Sequence, residues 1–258
     1  MIPEHLQAMA DSVVAEAAKD PRVLAVVAGG SVATGTSDEY SDLDLVLLCT
    51  DEGQPECLAE AKEFAARVGP LLSSFTGEHV GEPRLLIALY GPPLVHVDLK
   101  FVTSDGLRSR VEDGVVLWQR DDTVDRVRTD SEAAWPQPDP QWIEDRFWVW
   151  VHYAAVKIAR GELFEAIETL GALRGVSIAP LATLGRTQRP AGVRRLETLA
   201  PELVPQLRET VATAEADDCL RALRAAVDVY RKVRDDSGVQ VVRRTAAEDA
   251  AVAFISAS

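Results

Sequence analysis

Gly29-Gly30-Ser31-Val32-Ala33-Thr34-Gly35 is followed by Asp42-Leu43-Asp44, which opens the apolar run Leu45-Val46-Leu47-Leu48. The glycine-serine turn leads into a short helix, and the backbone N–H groups of such a turn suit a phosphate. Alternate side chains of a strand share a face, so Asp42 and Asp44 project together, about 6.6 Å apart along the chain. Two carboxylates that close repel each other, and a hard cation such as Mg2+ relieves them. A phosphate cradle beside a metal clamp points to nucleotidyl transfer.

A third carboxylate fits the same chemistry. Val95 to Val102 alternates as a strand does, with Val95, Val97, Leu99 and Phe101 on one face and His96, Asp98 and Lys100 on the other. If this strand runs beside the one that begins at Leu43, Asp98 converges on Asp42 and Asp44.

Taken in order, Gly30, Ser31, Gly35, Ser41, Asp42, Asp44 and Asp98 resemble the signature of nucleotidyltransferases of the DNA polymerase beta superfamily. The likeness covers roughly the first 120 residues. A second stretch, Phe147 to Glu162, resembles the aromatic, lysine-bearing helix of aminoglycoside 6-adenylyltransferase-like antibiotic nucleotidyltransferases. The resemblance implies Asp42, Asp44 and Asp98 as catalytic and metal-binding residues, with Asp98 either a ligand or the general base. It implies Gly30, Ser31, Ser41 and Lys157 as nucleotide contacts, with Mg2+ as the metal and ATP as the donor.

The elements that must position these residues follow from the pattern around them. Leu6, Met9, Ala10, Val13, Val14 and Ala17 keep the spacing of a one-faced helix, stopped at Asp20-Pro21. Arg22 to Ala28 reads as a strand ending in Gly29-Gly30, and Leu43 to Cys49 as the next. A helix is expected over Pro55 to Val68, strands over Leu85 to Tyr90 and Leu94 to Val102 about Gly91-Pro92-Pro93, and an edge strand at Val115 to Trp118. This mixture predicts an α+β class: a small mixed-sheet nucleotidyltransferase domain over residues 1–125, then an all-α domain over 142–258. The prolines of Trp135 to Pro140 mark a linker, placed at 126–141. Helices are expected over Trp142–Arg160, Leu163–Leu173, Pro201–Thr213 and Asp217–Arg234.

Composition narrows the function classes. The 258 residues are 47% hydrophobic and include no apolar run near 18 residues, so no membrane partner is expected. Met1-Ile2-Pro3-Glu4 lacks the basic and apolar regions of a secretory signal, which predicts a cytoplasmic protein. Cys49, Cys57 and Cys219 have no C-x-x-C spacing, against structural zinc or a disulfide framework. A formal net charge of −14 argues against a nucleic-acid partner and favours a small or cationic acceptor, which the resemblance implies is a hydroxylated small molecule.

Other candidates carry weaker signals. Phe147, Val151, Ala154 and Ile158 recur at helical spacing and are expected in a core. Trp148 and Trp150 cannot both join them, which leaves one for a cleft. His5, His79, His96 and His152 show no ligand spacing. Glu78, Glu82, Glu144 and Asp145 are conceivable general bases among which nothing in the sequence selects. The expected activity is transfer of AMP from ATP to a hydroxyl of a small, aminoglycoside-like molecule. The alternatives are AMP transfer to a protein, as in toxin–antitoxin pairs, and an inactive nucleotide-binding regulatory module.

Overall fold

The computed structural model describes residues 2–257, which divide into two compact units between Ala134 and Trp135. In the first, β1 (Val23–Ala28), β2 (Leu43–Cys49), β3 (Leu71–Gly77), β4 (Glu82–Tyr90), β5 (Val95–Val102) and β6 (Val115–Gln119) form one sheet in the order β3-β4-β5-β2-β1-β6. Only β2 and β5 are parallel; the other neighbours are antiparallel. The helices of this unit are α1 (Glu4–Ala17), α2 (Gly30–Thr34), α3 (Gln54–Ala59), α4 (Ala61–Val68), α5 (Ser104–Arg108) and α6 (Thr123–Asp130).

Strand alternation gives the sheet two different faces. Leu43, Leu45 and Leu47 of β2 and Val95, Val97, Leu99 and Phe101 of β5 are buried in one cluster with Leu6, Ala10 and Val13 of α1 and Phe64 and Val68 of α4. On the opposite face Val27, Leu48 and Val102 pack with Leu107 of α5 and Val124 and Val127 of α6. That second cluster takes in Leu48 and, at its margin, Val46, but not Asp44. The start of β2 therefore carries its polar residue where no apolar cover reaches.

Several elements differ from the sequence expectation. The helix expected over Pro55–Val68 is two, broken at Glu60 (φ −97°, ψ 10°). Strand β3 and helix α6 had no sequence signal. Because α6 runs to Asp130 and packs on the first unit's core, regular structure extends past residue 125 into the segment expected as linker.

The second unit is helical: α7 (Pro140–Ala159), α8 (Leu163–Leu173), α9 (Ala179–Ala182), α10 (Leu196–Leu199), α11 (Val204–Glu209), α12 (Ala216–Asp236) and α13 (Thr245–Ala257), with one π turn at Arg174–Ile178. Asp139 caps α7 by accepting from the N–H groups of Gln141 and Trp142 at 2.9 and 3.1 Å, and Pro140 takes the first-turn position that proline tolerates. The expected core residues Phe147, Val151, Ala154 and Ile158 are buried. Trp148 joins them, its ring edge-on to Phe147 and Tyr230, whereas Trp150 is half-buried against Trp142. The helix expected over Pro201–Thr213 is a 3-10 turn followed by the short α11, and α13 was not expected. All three cysteines are buried and unbridged. No described helix is long and apolar enough to cross a membrane.

Candidate active site

The parallel pairing of β2 and β5 sets Asp44 directly opposite Asp98. Neighbouring strands lie about 4.8 Å apart, so the two carboxylates rise side by side from the same sheet face. Asp42 precedes β2 by one residue, near enough that its negative charge acts on Asp98. The Asp98 carboxyl is held above its ordinary value, chiefly by burial; His96 opposes the shift and Asp42 adds to it. His96 Nε2 lies 2.9 Å from Asp98 Oδ1 and fixes the orientation of that carboxylate, whose side chain is 24% exposed.

The other flank of Asp44 is the glycine turn. The Gly29 N–H donates to the Asp44 carbonyl at 2.9 Å, which ties the end of β1 to the start of β2. Gly30 has φ +55°, and a Cβ there would stand 1.9 Å from Asp44 Oδ2. Only glycine meets both conditions, the left-handed backbone and the carboxylate lying against it. The Gly30 N–H donates to Glu112 Oε1 at 2.6 Å. Gly35, at φ 66°, ends α2.

Two predicted contacts shape the loop between. The Ser31 and Ser37 hydroxyls share a hydrogen bond of 3.1 Å. Ser41 Oγ accepts from the Asp38 N–H at 2.9 Å and donates to Asp38 Oδ1 at 3.1 Å, folding the chain just before Asp42. Beyond Asp98 the same sheet face turns apolar. Ile87 pairs with Asp98 and Phe75 with Ile87, and Phe75 is 50% exposed.

A set of carboxylate oxygens is the donor chemistry a hard divalent cation takes. In this conformation no group of three or more His, Cys, Asp or Glu side chains among the described residues is gathered tightly enough to hold a metal ion. Asp42, Asp44 and Asp98 share one end of the face without closing on a common point.

The remaining candidates lie elsewhere or are engaged. Lys157 belongs to α7 of the second unit, where Nζ donates to Glu162 Oε2 at 2.5 Å and sits 5.2 Å from the Tyr153 ring centroid. Glu144 is fully buried; it accepts from Trp148 Nε1 at 3.2 Å, Tyr230 OH at 2.6 Å and the Arg244 N–H at 2.9 Å, and pairs with Arg234 at 3.4 Å. Asp145 pairs with Arg244 at 2.7 Å, Glu82 with Arg84 and Lys100 at 2.7 Å each, and Glu78 accepts from Thr76. All four are engaged in these contacts. His79 packs on Phe75 and His152 on Phe254. Glu112, which the sequence does not single out, reaches Gly30 across 82 positions, and no local pattern announces such a contact.

A family model described as streptomycin adenylyltransferase matches residues 4–179, through the whole sheet unit and into the helical one. The chain belongs to that family. It is a nucleotidyltransferase of an adenylyltransferase family that modifies antibiotics. It is also similar to the crystal structure of an aminoglycoside 6-adenyltransferase from Bacillus subtilis, at 15% identity and a TM-score of 0.41, over 96% of this chain and 97% of that one. The nucleotidyltransferase-like protein from Exiguobacterium sibiricum 255-15 aligns at 13% identity and a TM-score of 0.38, over 90% of this chain and 78% of that one. No curated protein matches significantly.

Proposed function

We propose that the protein transfers AMP from ATP to a hydroxyl of a small, cationic, aminoglycoside-like acceptor, with Mg2+ as cofactor. The observation that carries this reading is the arrangement about Asp44. Gly30 follows β1 on one side of β2, and Asp98 stands on β5 on the other side. A leaving pyrophosphate at Gly30 and Ser31 and an attacking hydroxyl at Asp98 would thus lie on opposite sides of the α-phosphate, as in-line displacement requires.

Asp42 and Asp44 would hold Mg2+, which when bound neutralises charge on the attacking and leaving oxygens. Asp98 takes the proton of the acceptor hydroxyl as its oxygen bonds to the α-phosphorus, and the bond from phosphorus to pyrophosphate breaks. Burial makes Asp98 more basic than an ordinary carboxylate, and His96 holds it in place, the geometry of an oriented base. The acidic balance of the chain suits a cationic acceptor.

The test is incubation with ATP labelled at the α-phosphate, Mg2+ and a panel of aminoglycosides. A labelled adduct is expected with wild type and not with Asp42→Asn or Asp44→Asn, whose turnover should fall at least about a thousandfold. Full turnover in folded Asp44→Asn would remove the metal assignment. Binding of MgATP with no adduct on any acceptor would favour a regulatory module.

A further inference from the structure

Glu112 lies in the loop between α5 and β6, and its carboxylate accepts the Gly30 N–H at 2.6 Å. The same oxygen would stand 3.0 Å from a Cβ on Gly29. The loop that carries it is fastened on both sides of Glu112. Arg110, with its side chain 8% exposed, pairs with Asp113 at 2.5 Å and donates to the Ser131 hydroxyl and carbonyl at 2.7 Å each. Arg128 donates to the Gly114 carbonyl at 2.5 Å, and Gly114 is so close to β1 that a Cβ would come within 2.4 Å of the Ala28 carbonyl oxygen. The backbone is fixed, so the glutamate is presented to the glycine turn by construction.

We propose that Glu112 is an internal anion that occupies the Gly30 N–H until a polyphosphate displaces it, and so sets the affinity for the triphosphate end of the nucleotide. This rests on the reading of Gly30 and Ser31 as the phosphate cradle. While the nucleotide is away, the carboxylate satisfies a donor and holds Gly30 at φ +55° with its N–H turned inward. A phosphate oxygen cannot take the same hydrogen at the same distance, and a second anion beside Asp44 would repel it. The Glu112 side chain therefore rotates out as the phosphate enters, while the arginine-fastened backbone stays. Glu112 is a positioning residue: it touches the turn that receives the substrate, and it competes with the substrate there.

Calorimetric titration of full-length wild type, Glu112→Gln and Glu112→Ala separates the outcomes, with MgATP, magnesium tripolyphosphate and adenosine as probes. If the contact holds the N–H about nine-tenths of the time, its removal tightens apparent binding about tenfold. Glu112→Ala should bind MgATP and magnesium tripolyphosphate about tenfold more tightly, and Glu112→Gln, which keeps a neutral and weaker acceptor, should tighten by less, with adenosine unchanged and KM for ATP falling in step. The Gly30 amide should exchange with solvent faster in Glu112→Ala than in wild type. Glu112→Gln keeps the shape of the side chain and stands in if the alanine variant does not fold. Unchanged or weaker polyphosphate binding in the folded variants overturns the proposal, as does an equal gain for adenosine, which would mean general loosening. Wild type that binds neither MgATP nor tripolyphosphate would instead overturn the phosphate-cradle reading.

Discussion

Gly30 answers to two constraints, and substitution tests both. Its φ of +55° makes any side chain strained, by about 1–3 kcal/mol. Its Cα lies where a Cβ would drive Asp44 Oδ2 aside. Gly30→Ala should therefore fold but lose about a hundredfold or more in turnover, since a displacement near 1 Å in a positioned group costs that much. Gly35→Ala is the control: φ is 66°, but nothing lies within 4 Å of the added Cβ, so stability should drop by about 1 kcal/mol with turnover kept. Parallel circular dichroism melts and turnover assays check the pair; equal loss of turnover in both would detach Asp44 from the chemistry. Asp98→Asn divides the two roles open to that residue. As a base, it should lose about 10²–10⁴-fold in turnover while MgATP binds normally. A matching loss of Mg2+ affinity would make it a ligand instead.

At this scale the sequence was informative where the requirement is local. A glycine where the chain must turn, and two carboxylates two apart at the mouth of a strand, are visible within the fifteen residues from Gly30 to Asp44. Glu112 was not visible, because its meaning comes from a turn 82 positions away. The surroundings of Glu144 were hidden for the same reason: Tyr230, Arg234 and Arg244 lie about it, and none is near in sequence.

Among the elements, β2 and β5 were legible because the sheet buries one face of each against α1 and α4 and leaves Asp44, Asp98 and Lys100 on the other. Strand β3 sits at the edge of the sheet, where Leu72, Ser73 and Phe75 are all exposed, so no alternation marks it. The break at Glu60 escaped notice because Ala59-Glu60-Ala61 are all good helix formers and the change is in dihedral angles alone. On the open face, Glu82 of β4 is bound by Arg84 and, across to β5, by Lys100, and these hold its carboxyl down at about 2, below its ordinary 4.5. A lowered folded-state value means that the unfolded chain takes up the proton first as the pH falls. The contribution of Glu82 is thus complete above about pH 4.5 and is lost as the pH drops toward 2. Urea midpoints of wild type and Glu82→Gln should differ at pH 6 and draw together at pH 3. A constant gap across that range would show that the ion pairs do not stabilise the sheet.

Over the whole chain, the two units use polar groups in opposite ways. The sheet unit leaves Asp42, Asp44 and Asp98 partly buried near one strand end. The helical unit encloses Glu144 at 0% exposure, together with Arg234 and Glu248, in the core that also holds Trp148 and the stacked Phe147–Tyr230 pair. A buried carboxylate of this kind is either a masked base or a structural anchor, and substitution separates the two. Glu144→Ala leaves the Tyr230 hydroxyl and Trp148 Nε1 without their acceptor in the interior, while Arg234 keeps Glu248 and Asp235, a loss of about 1–3 kcal/mol for each orphaned donor. Glu144→Gln keeps the shape and one acceptor, and should cost less. If Glu144 is an anchor, the glutamine variant should show a lower denaturation midpoint while turnover per folded molecule stays within about twofold of wild type, far inside the 10²–10⁴-fold loss that removing a general base brings. Turnover lost at full stability would instead make Glu144 the base, and the role assigned to Asp98 would pass to the helical unit.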